Sequence, residues 1–327
     1  MLQKHKNKIY SDEGCHYLIT QGAILSRSNV IWFEHNNMSA LEVCLQTVNE
    51  EDTKSNRPIN RRFIVTEGLF HNHGDICKLN KIVELKETYK YRLIVDDSHG
   101  LGTLHPKGTP GYFNIAHTKV DMYFGGMDKA LGSTGGFCVG NKEIIRHQTL
   151  SGAGYVFSAS APPFSCTAAQ TAIQLMEENG REYVKEIQDN AQLMRKLLRD
   201  DAGKQRPRWD MGEQNQVSPL IHLRFDDKFV GDDVAENYLE VVASESRKKG
   251  VLVYTAIYLP QEFGIPDKSD PRPSLRICVS RQHTKEQLTK SADIIKTLLI
   301  DVVENKVDKL HPEYGSSDHD EEKQEEV

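Results

Sequence analysis

The chain has 327 residues, 38% of them apolar and 27% charged, which suits an ordinary globular protein large enough for two domains and a buried core. A formal net charge of -6 argues against the basic face that nucleic-acid binding requires, so no nucleic-acid partner is expected. No apolar run approaches the roughly 20 residues that span a bilayer, and six cysteines without a CxxC pair, with no signal peptide, fit free thiols in a reducing compartment.

In chain order, Asn29 to Glu34 (NVIWFE) predicts a strand. Ser39 with Glu42 predicts a capping box that opens a helix striped by Leu41, Cys44, Leu45 and Val48. Glu50 to Asn60 (EEDTKSNRPIN) reads as a polar surface loop. Arg61 to Thr66 is a second strand, and Asn80 to Lys90 a helix with Ile82, Leu85 and Tyr89 on one face. Leu93 to Asp96 and Val120 to Gly125 are further short apolar strands. Apolar strands alternating with amphipathic helices imply an α/β fold whose mostly parallel sheet is covered on both faces.

Past the glycines of Gly132 to Gly136, a proline-containing link (YVFSASAPPF, Tyr155 to Phe164) leads into a long helix, Ser165 to Arg199. The remainder of the chain reads as a smaller α+β unit with strands at Pro219 to Phe225, Val251 to Thr255 and Ser274 to Ser280. Its last helix is capped by Thr284 with Gln287 and turns Leu288, Ala292, Ile295 and Leu299 inward. The expected division is a large domain over 1–164, a linking helix and small C-terminal domain over 165–310, and an acidic tail over 311–327. Within that tail, Ser316 to Val327 (SSDHDEEKQEEV) is too polar to order itself.

Two segments carry chemistry. In Ile94 to Gly102 (IVDDSHGLG) an apolar strand ends in two acids, then a histidine and two glycines. Ligands of open α/β sheets sit beyond the carboxyl ends of strands, which puts Asp96 and His99 where a cofactor would be. An acid capping the next turn, with His99 satisfied by backbone, is an equally good reading of that segment alone. In Met127 to Gly136 (MDKALGSTGG), Lys129 directly follows a strand, and the spacing is not that of a nucleotide-binding P-loop. Taken singly, Lys129 reads as a surface lysine on a turn. Taken together, an acid at one strand end and a lysine beyond a later one form the pair that pyridoxal phosphate requires, the lysine for the aldehyde and the acid for the ring nitrogen. Burial beside a cationic ring would lower the cost of the neutral amine.

With these residues in hand, the chain from about Tyr10 to Leu299 resembles the α-oxoamine synthase family of pyridoxal-phosphate enzymes. The resemblance implies a fold-type I, aminotransferase-like large domain and a smaller C-terminal domain. Asp96-Asp97-Ser98-His99-Gly100 is similar to the family's D-[DE]-x-H-G, which implies Asp96 on the pyridine nitrogen and His99 beside the ring hydroxyl. Lys129 matches the Schiff-base lysine. Asp12 to Gly22 (DEGCHYLITQG) is similar to a segment that assigns His16 to stacking on the ring, and Glu67-Gly68 opens a segment whose acid approaches the active site. Ser158 with Pro162-Pro163 resembles a contact to the neighbouring subunit's cofactor phosphate, and Arg276 matches the arginine that holds the substrate carboxylate.

Stretches such as RRFIVTEGLFHNHGDICKL and HQTLSGAGYVFSASAPP look like the long-chain-base subunit 1 group within that family. The resemblance then implies condensation of L-serine with palmitoyl-coenzyme A, either in a heterodimer with a catalytic serine palmitoyltransferase subunit or in a homodimer, at the cytosolic face of the endoplasmic reticulum. A non-catalytic scaffold and a sister enzyme using glycine or alanine are the alternatives. The chain departs from catalytic members at Gly126, where they usually have a phosphate-binding Thr, and at Asp128, where they usually have Ser or Thr. Met1 also falls where family members are already well inside the large domain, so an incomplete chain is expected. His71-Asn72-His73 with Asp75 is a weak metal pattern, because loop histidines are usually solvated. His35, Met127 and Phe137 read as packing residues, and Tyr155, Phe157 and Phe164 as interface or core.

Overall fold

The structure is a computed structural model that describes residues 7–55, 62–199, 209–212, 217–226, 228, 230–256, 258 and 272–304, with 51–55, 153 and 233 described by backbone alone. The chain divides into two compact units. The first comprises Met1–Asp189, Val217–Pro219 and Tyr258–Pro271, and the second Asn190–Gln216, Leu220–Ile257 and Arg272–Val327. The tail expected over 311–327 lies outside the described residues.

Strands and helices alternate through the first unit: β1 (Lys8–Asp12), α1 (Tyr17–Leu25), β2 (Asn29–Phe33), α2 (Met38–Ser55), β3 (Arg62–Glu67), α3 (Leu79–Tyr89), β4 (Arg92–Asp96), α4 (Gly108–Tyr112), β5 (Met122–Gly126), β6 (Gly136–Gly140), α5 (Lys142–Ser151), α6 (Ala153–Val156) and most of α7 (Pro163–Arg199). The sheet runs β2-β1-β3-β4-β5-β6. Its first five strands are parallel, and β6 returns antiparallel to β5. Successive strand residues bury on opposite faces. Tyr10, Ile64 and Leu93 join Leu41 and Leu45 of α2 and Ile82 of α3 in one core, while their neighbours Ile9 and Val65 pack with Ala23 of α1 in another. Each fully buried aliphatic side chain contributes about 1.5–3 kcal/mol of transfer free energy. Parallel strands all end on one side, so Glu67 faces Asp96, and Asp96 faces Phe124, along a single carboxyl edge. The fold is therefore α/β with a mostly parallel sheet, as the alternating pattern implies.

In the second unit are β7 (Trp209–Asp210), β8 (Leu220–Phe225), α8 (Asp232–Lys248), β9 (Tyr254–Thr255), β10 (Leu275–Cys278) and α9 (Lys285–Val303). Its sheet, β7-β8-β10-β9, is antiparallel throughout. Leu239 and Val242 of α8, Leu288, Ala292, Ile295 and Leu299 of α9, and alternate residues of β8 and β10 form one apolar cluster. Thr284 and Gln287 close a reciprocal capping box at the start of α9, an arrangement worth about 1 kcal/mol.

Three local expectations are corrected. Helix α2 begins at Met38, and its first turn is capped by Asn37, whose Oδ1 accepts the Ala40 N–H at 3.0 Å, rather than by Ser39 with Glu42. The polar stretch from Glu50 does not leave the helix, which continues to Ser55. Its charges are good helix formers, and propensity prevails where no breaker intervenes. His35, expected as a packing residue, is instead held between the carboxylates of Asp12 and Asp75.

Among the described residues no helix is long and apolar enough to cross a membrane. All six cysteines are free thiols.

Candidate active site

The carboxyl edge of the first unit's sheet gathers ionisable groups. Asp96 ends β4, where its Oδ1 accepts the Ser98 N–H at 2.9 Å and the Ser98 hydroxyl at 2.6 Å. The same hydroxyl oxygen accepts the Gly126 N–H at 2.8 Å, which ties the end of β4 to the end of β5. A cleft of about 550 Å³ opens here, lined by Asp96, Ser98, Gly126, Phe137, Cys138 and Tyr155 among others. Lys129 follows β5 by three residues and is bonded to the Asp128 carboxylate. That contact holds the Asp128 carboxyl below its ordinary pKa, with Lys129 the main cause and the charge of His99 a lesser one.

Gly126 and Asp128, the two positions that depart from the family pattern, are coupled. A Cβ built on Gly126 would lie 2.6 Å from Asp128 Oδ1. A side chain at 126 would crowd the Asp128 carboxylate where it stands, and that carboxylate is 55% exposed. Two short runs of contact stand here: Asp96 through Ser98 to the Gly126 N–H, and, two residues along the chain, Asp128 to Lys129.

The two acids of the IVDD segment have separate tasks. Asp97 is fully buried, and its oxygens accept the Thr109 N–H at 2.6 Å, the Thr109 hydroxyl and the Tyr123 hydroxyl at 2.7 Å. Burial raises its carboxyl to about pKa 6 against the lowering effect of those donors. Cβ atoms built on Gly68, Gly100 and Gly108 would each fall within 2.1 Å of its oxygens, so the glycines near His99 serve to enclose this acid. Asp97 has a structural role, and Asp96 is the acid that borders the cleft.

Beside Asp96, Glu67 ends β3 and is buried. Its Oε1 accepts the His16 N–H, and its Oε2 accepts the His71 N–H at 2.9 Å. Burial pushes its carboxyl up to about pKa 8, the two backbone donors oppose the rise, and the charges of Asp96 and Asp12 add to it. His16 is the N-cap of α1, its Nδ1 accepting the Leu18 N–H at 3.3 Å.

Three imidazoles follow one another: the rings of His16 and His71 meet edge to face at 4.7 Å, and those of His71 and His99 lie 5.0 Å apart. His71 Nδ1 and His99 Nε2 are 2.9 Å apart, a hydrogen bond between rings. The sequence offered His71 only as half of a weak metal pattern with His73, yet the two part company. His73 stacks on His35 at 3.9 Å, and among the described residues no acid, histidine and cysteine cluster is arranged to hold a metal.

Behind this row, His35 donates from Nδ1 to Asp12 at 2.8 Å and from Nε2 to Asp75 at 3.1 Å. Burial would lower its pKa, but the two carboxylates prevail and raise it to about 10. The Asp12 carboxylate also accepts the N–H groups of Gly14 and Asn36. One imidazolium thus pins the ends of β1 and β2 to the loop after β3 that carries His71.

Of the residues singled out in the sequence, the first unit brings together His16, Glu67, Asp96 and, through His71, His99, while Lys129 is partly exposed and pairs with Asp128, whose carboxyl feels the charge of His99. Ser158 lies past α6 in an exposed stretch, its hydroxyl bonded to the Gly154 carbonyl. Around it Tyr155, Phe157 and Phe164 are 66%, 87% and 74% exposed, so none of the three is core in this chain. Arg276 belongs to the second unit, on β10 opposite His222 of β8 and Tyr254 of β9.

Comparison with known proteins places this geometry. The model for aminotransferase class I and II matches residues 1–295. Long chain base biosynthesis protein 1 of Arabidopsis thaliana is 35% identical over 301 residues, covering 90% of this chain and 59% of that protein. Serine palmitoyltransferase 1 of Dictyostelium discoideum is 34% identical over 304 residues, covering 91% of this chain and 61% of that protein. The chain therefore spans about three-fifths of the length of these relatives. A solved structure described as SPT with PLP internal aldimine superposes with a TM-score of 0.74 at 20% identity, covering 90% of this chain and 67% of that one, and so shares its fold. By the family match over nearly its whole length, the chain belongs to the aminotransferase class I and II family.

Proposed function

We propose that this chain is a pyridoxal-phosphate-dependent acyltransferase subunit of the serine palmitoyltransferase type, acting in decarboxylative condensation of L-serine with palmitoyl-coenzyme A to 3-ketodihydrosphinganine. The observation that carries the reading is the Asp96 carboxylate bordering a cleft at the carboxyl edge and tied through Ser98 to the Gly126 N–H at the end of β5, with Lys129 three residues beyond that strand. That donor set fits pyridoxal phosphate: an acid beside a cleft at a sheet's carboxyl edge and an amine one strand further on. When bound, the cofactor supplies an aldehyde and an electron-accepting ring.

Asp96 would hold a proton at the ring nitrogen, and Lys129 Nζ would engage the aldehyde and accept a proton from the substrate α-carbon. His99 would orient the ring hydroxyl and His16 would cover the ring face. Glu67 orders the backbone of both His16 and His71, which keeps that wall of the site fixed. Arg276 would bind the substrate carboxylate. Ser158, in an exposed apolar stretch, would serve the site of a second subunit, in a homodimer or beside a catalytic serine palmitoyltransferase subunit. The relatives' names support the sphingolipid assignment, and the endoplasmic reticulum membrane is the location this reading carries with it.

One observation favours a second reading. The Asp128 carboxylate engages the Lys129 amine, and an amine committed to an ion pair is not available to an aldehyde. In that reading the chain is a scaffold for a catalytic partner.

Titration of the full chain with pyridoxal phosphate, alone and with such a partner, separates the two. The acyltransferase reading expects a visible absorbance band that Lys129→Ala abolishes and Lys81→Ala leaves intact, with product formed from L-serine. Absence of the band in every combination overturns it, and turnover with glycine or alanine but not serine overturns the choice of substrate.

A further inference from the structure

Resting on the pyridoxal-phosphate reading, we infer that His71 is a positioning residue of the site: through the bond between its Nδ1 and His99 Nε2 it fixes the orientation and the tautomer of the His99 imidazole. A hydrogen bond between two imidazole rings requires one nitrogen to carry hydrogen and the other to be bare. The pair therefore holds only when at least one ring is neutral, and it couples the two: a hydrogen on His71 Nδ1 requires a bare Nε2 on His99, and a hydrogen on His99 Nε2 requires a bare Nδ1 on His71. Which nitrogen remains for other partners on His99 is decided by which way that shared hydrogen points.

Besides His99, His71 is itself held from two sides. Its N–H donates to Glu67 Oε2 at 2.9 Å, its ring packs edge to face on His16, and Glu67 Oε1 takes the His16 N–H, so one carboxyl group sets the spacing of both backbones. The loop that carries it is anchored in turn by Asp75, which receives His35 Nε2 at 3.1 Å and the Asn36 side-chain amide at 2.9 Å. Removing the imidazole of His71 would leave the contacts of Glu67, His35 and Asp75 standing while taking away the ring that meets His99 and His16. The ring nitrogens of His99 then report the loss directly.

The full chain labelled with 15N-histidine reports the ring nitrogens directly. In the unmodified chain His99 is expected in a single tautomer. In His71→Ala its ring shifts are expected to move toward a different tautomer balance, and in His71→Asn, whose amide can reach toward His99, most of the original signature returns.

With pyridoxal phosphate added, His71→Ala is expected to weaken retention about three- to tenfold, the worth of one hydrogen bond, and to move the pH midpoint of the visible band, with His71→Asn lying between. Circular dichroism on each variant establishes that the chain is folded. Identical His99 ring shifts in the unmodified chain and His71→Ala overturn the inference, as do an unchanged affinity and band midpoint in a loaded protein. If the unmodified chain takes up no cofactor, alone or with a catalytic partner, the pyridoxal-phosphate reading falls. The ring shifts still decide whether His71 governs His99.

Discussion

The carboxyl edge of the first unit's sheet and the interior of the second unit bury different things. At the edge, Asp12, Glu67 and Asp97 are all buried within a few residues of strand ends, each satisfied by backbone N–H groups or hydroxyls. In the second unit the interior is one apolar cluster, and the buried Arg195 donates to the carbonyls of Met211 and Leu220. The second unit's core is built largely on aliphatic side chains, with Arg276 carried on one of its strands. The clustering of carboxylates and imidazoles at one edge of the first unit raises the cost of folding there, and this is where groups with shifted pKa values mark a functional site.

The sharpest way to break the contrast is to remove a member of the Asp12–His35–Asp75 clamp. Asp12→Ala is expected to cost about 3–5 kcal/mol in denaturant unfolding, because it leaves the His35 imidazolium buried against one carboxylate instead of two. A result under about 1 kcal/mol would mean that the clamp is solvated in solution.

The matching test of the second unit is Leu299→Ala, which opens a cavity at a fully buried position of α9. A loss of about 2–5 kcal/mol is expected, insensitive to pH, in contrast to the edge.

A smaller loss at neutral pH, about 1–3 kcal/mol, is expected from Glu67→Gln, because the amide offers one acceptor oxygen to the two backbone N–H groups of His16 and His71 that the carboxyl serves. Its signature is in the slope. A carboxyl raised from 4.5 to about 8 gives the folded state its full benefit below pH 4.5 and loses it as pH climbs through about 8. Glu67→Gln should flatten that part of the stability profile, and an unchanged slope would show that Glu67 does not titrate in this window.

The sequence made the alternation of strands and helices legible because buried parallel strands are apolar throughout and helices show a period of 3.6. Thr284 with Gln287 was legible for a local reason: both partners of the capping box lie within four residues. The contacts at the edge were not. His35 meets Asp75 across 40 positions and His71 meets His99 across 28, and no periodicity announces such meetings. The capping box read at Ser39 failed because Asn37 offered the first turn a better-placed acceptor. The acids of the IVDD segment look identical in sequence, and only strand alternation, which turns one toward the cleft and the other inward, separates Asp96 from Asp97.

The enclosure of Asp97 has a consequence for how this segment could change over time. With no room for a methyl group at 68, 100 or 108 while that carboxylate stays, and with φ at +69° for Gly108, none of the four positions can drift independently. Replacing the acid would leave two hydroxyls and an amide facing a void, and replacing any one glycine would drive the acid out of its seat. Substitution here must be concerted or not occur, so the turn that presents His99 is inherited as a single block.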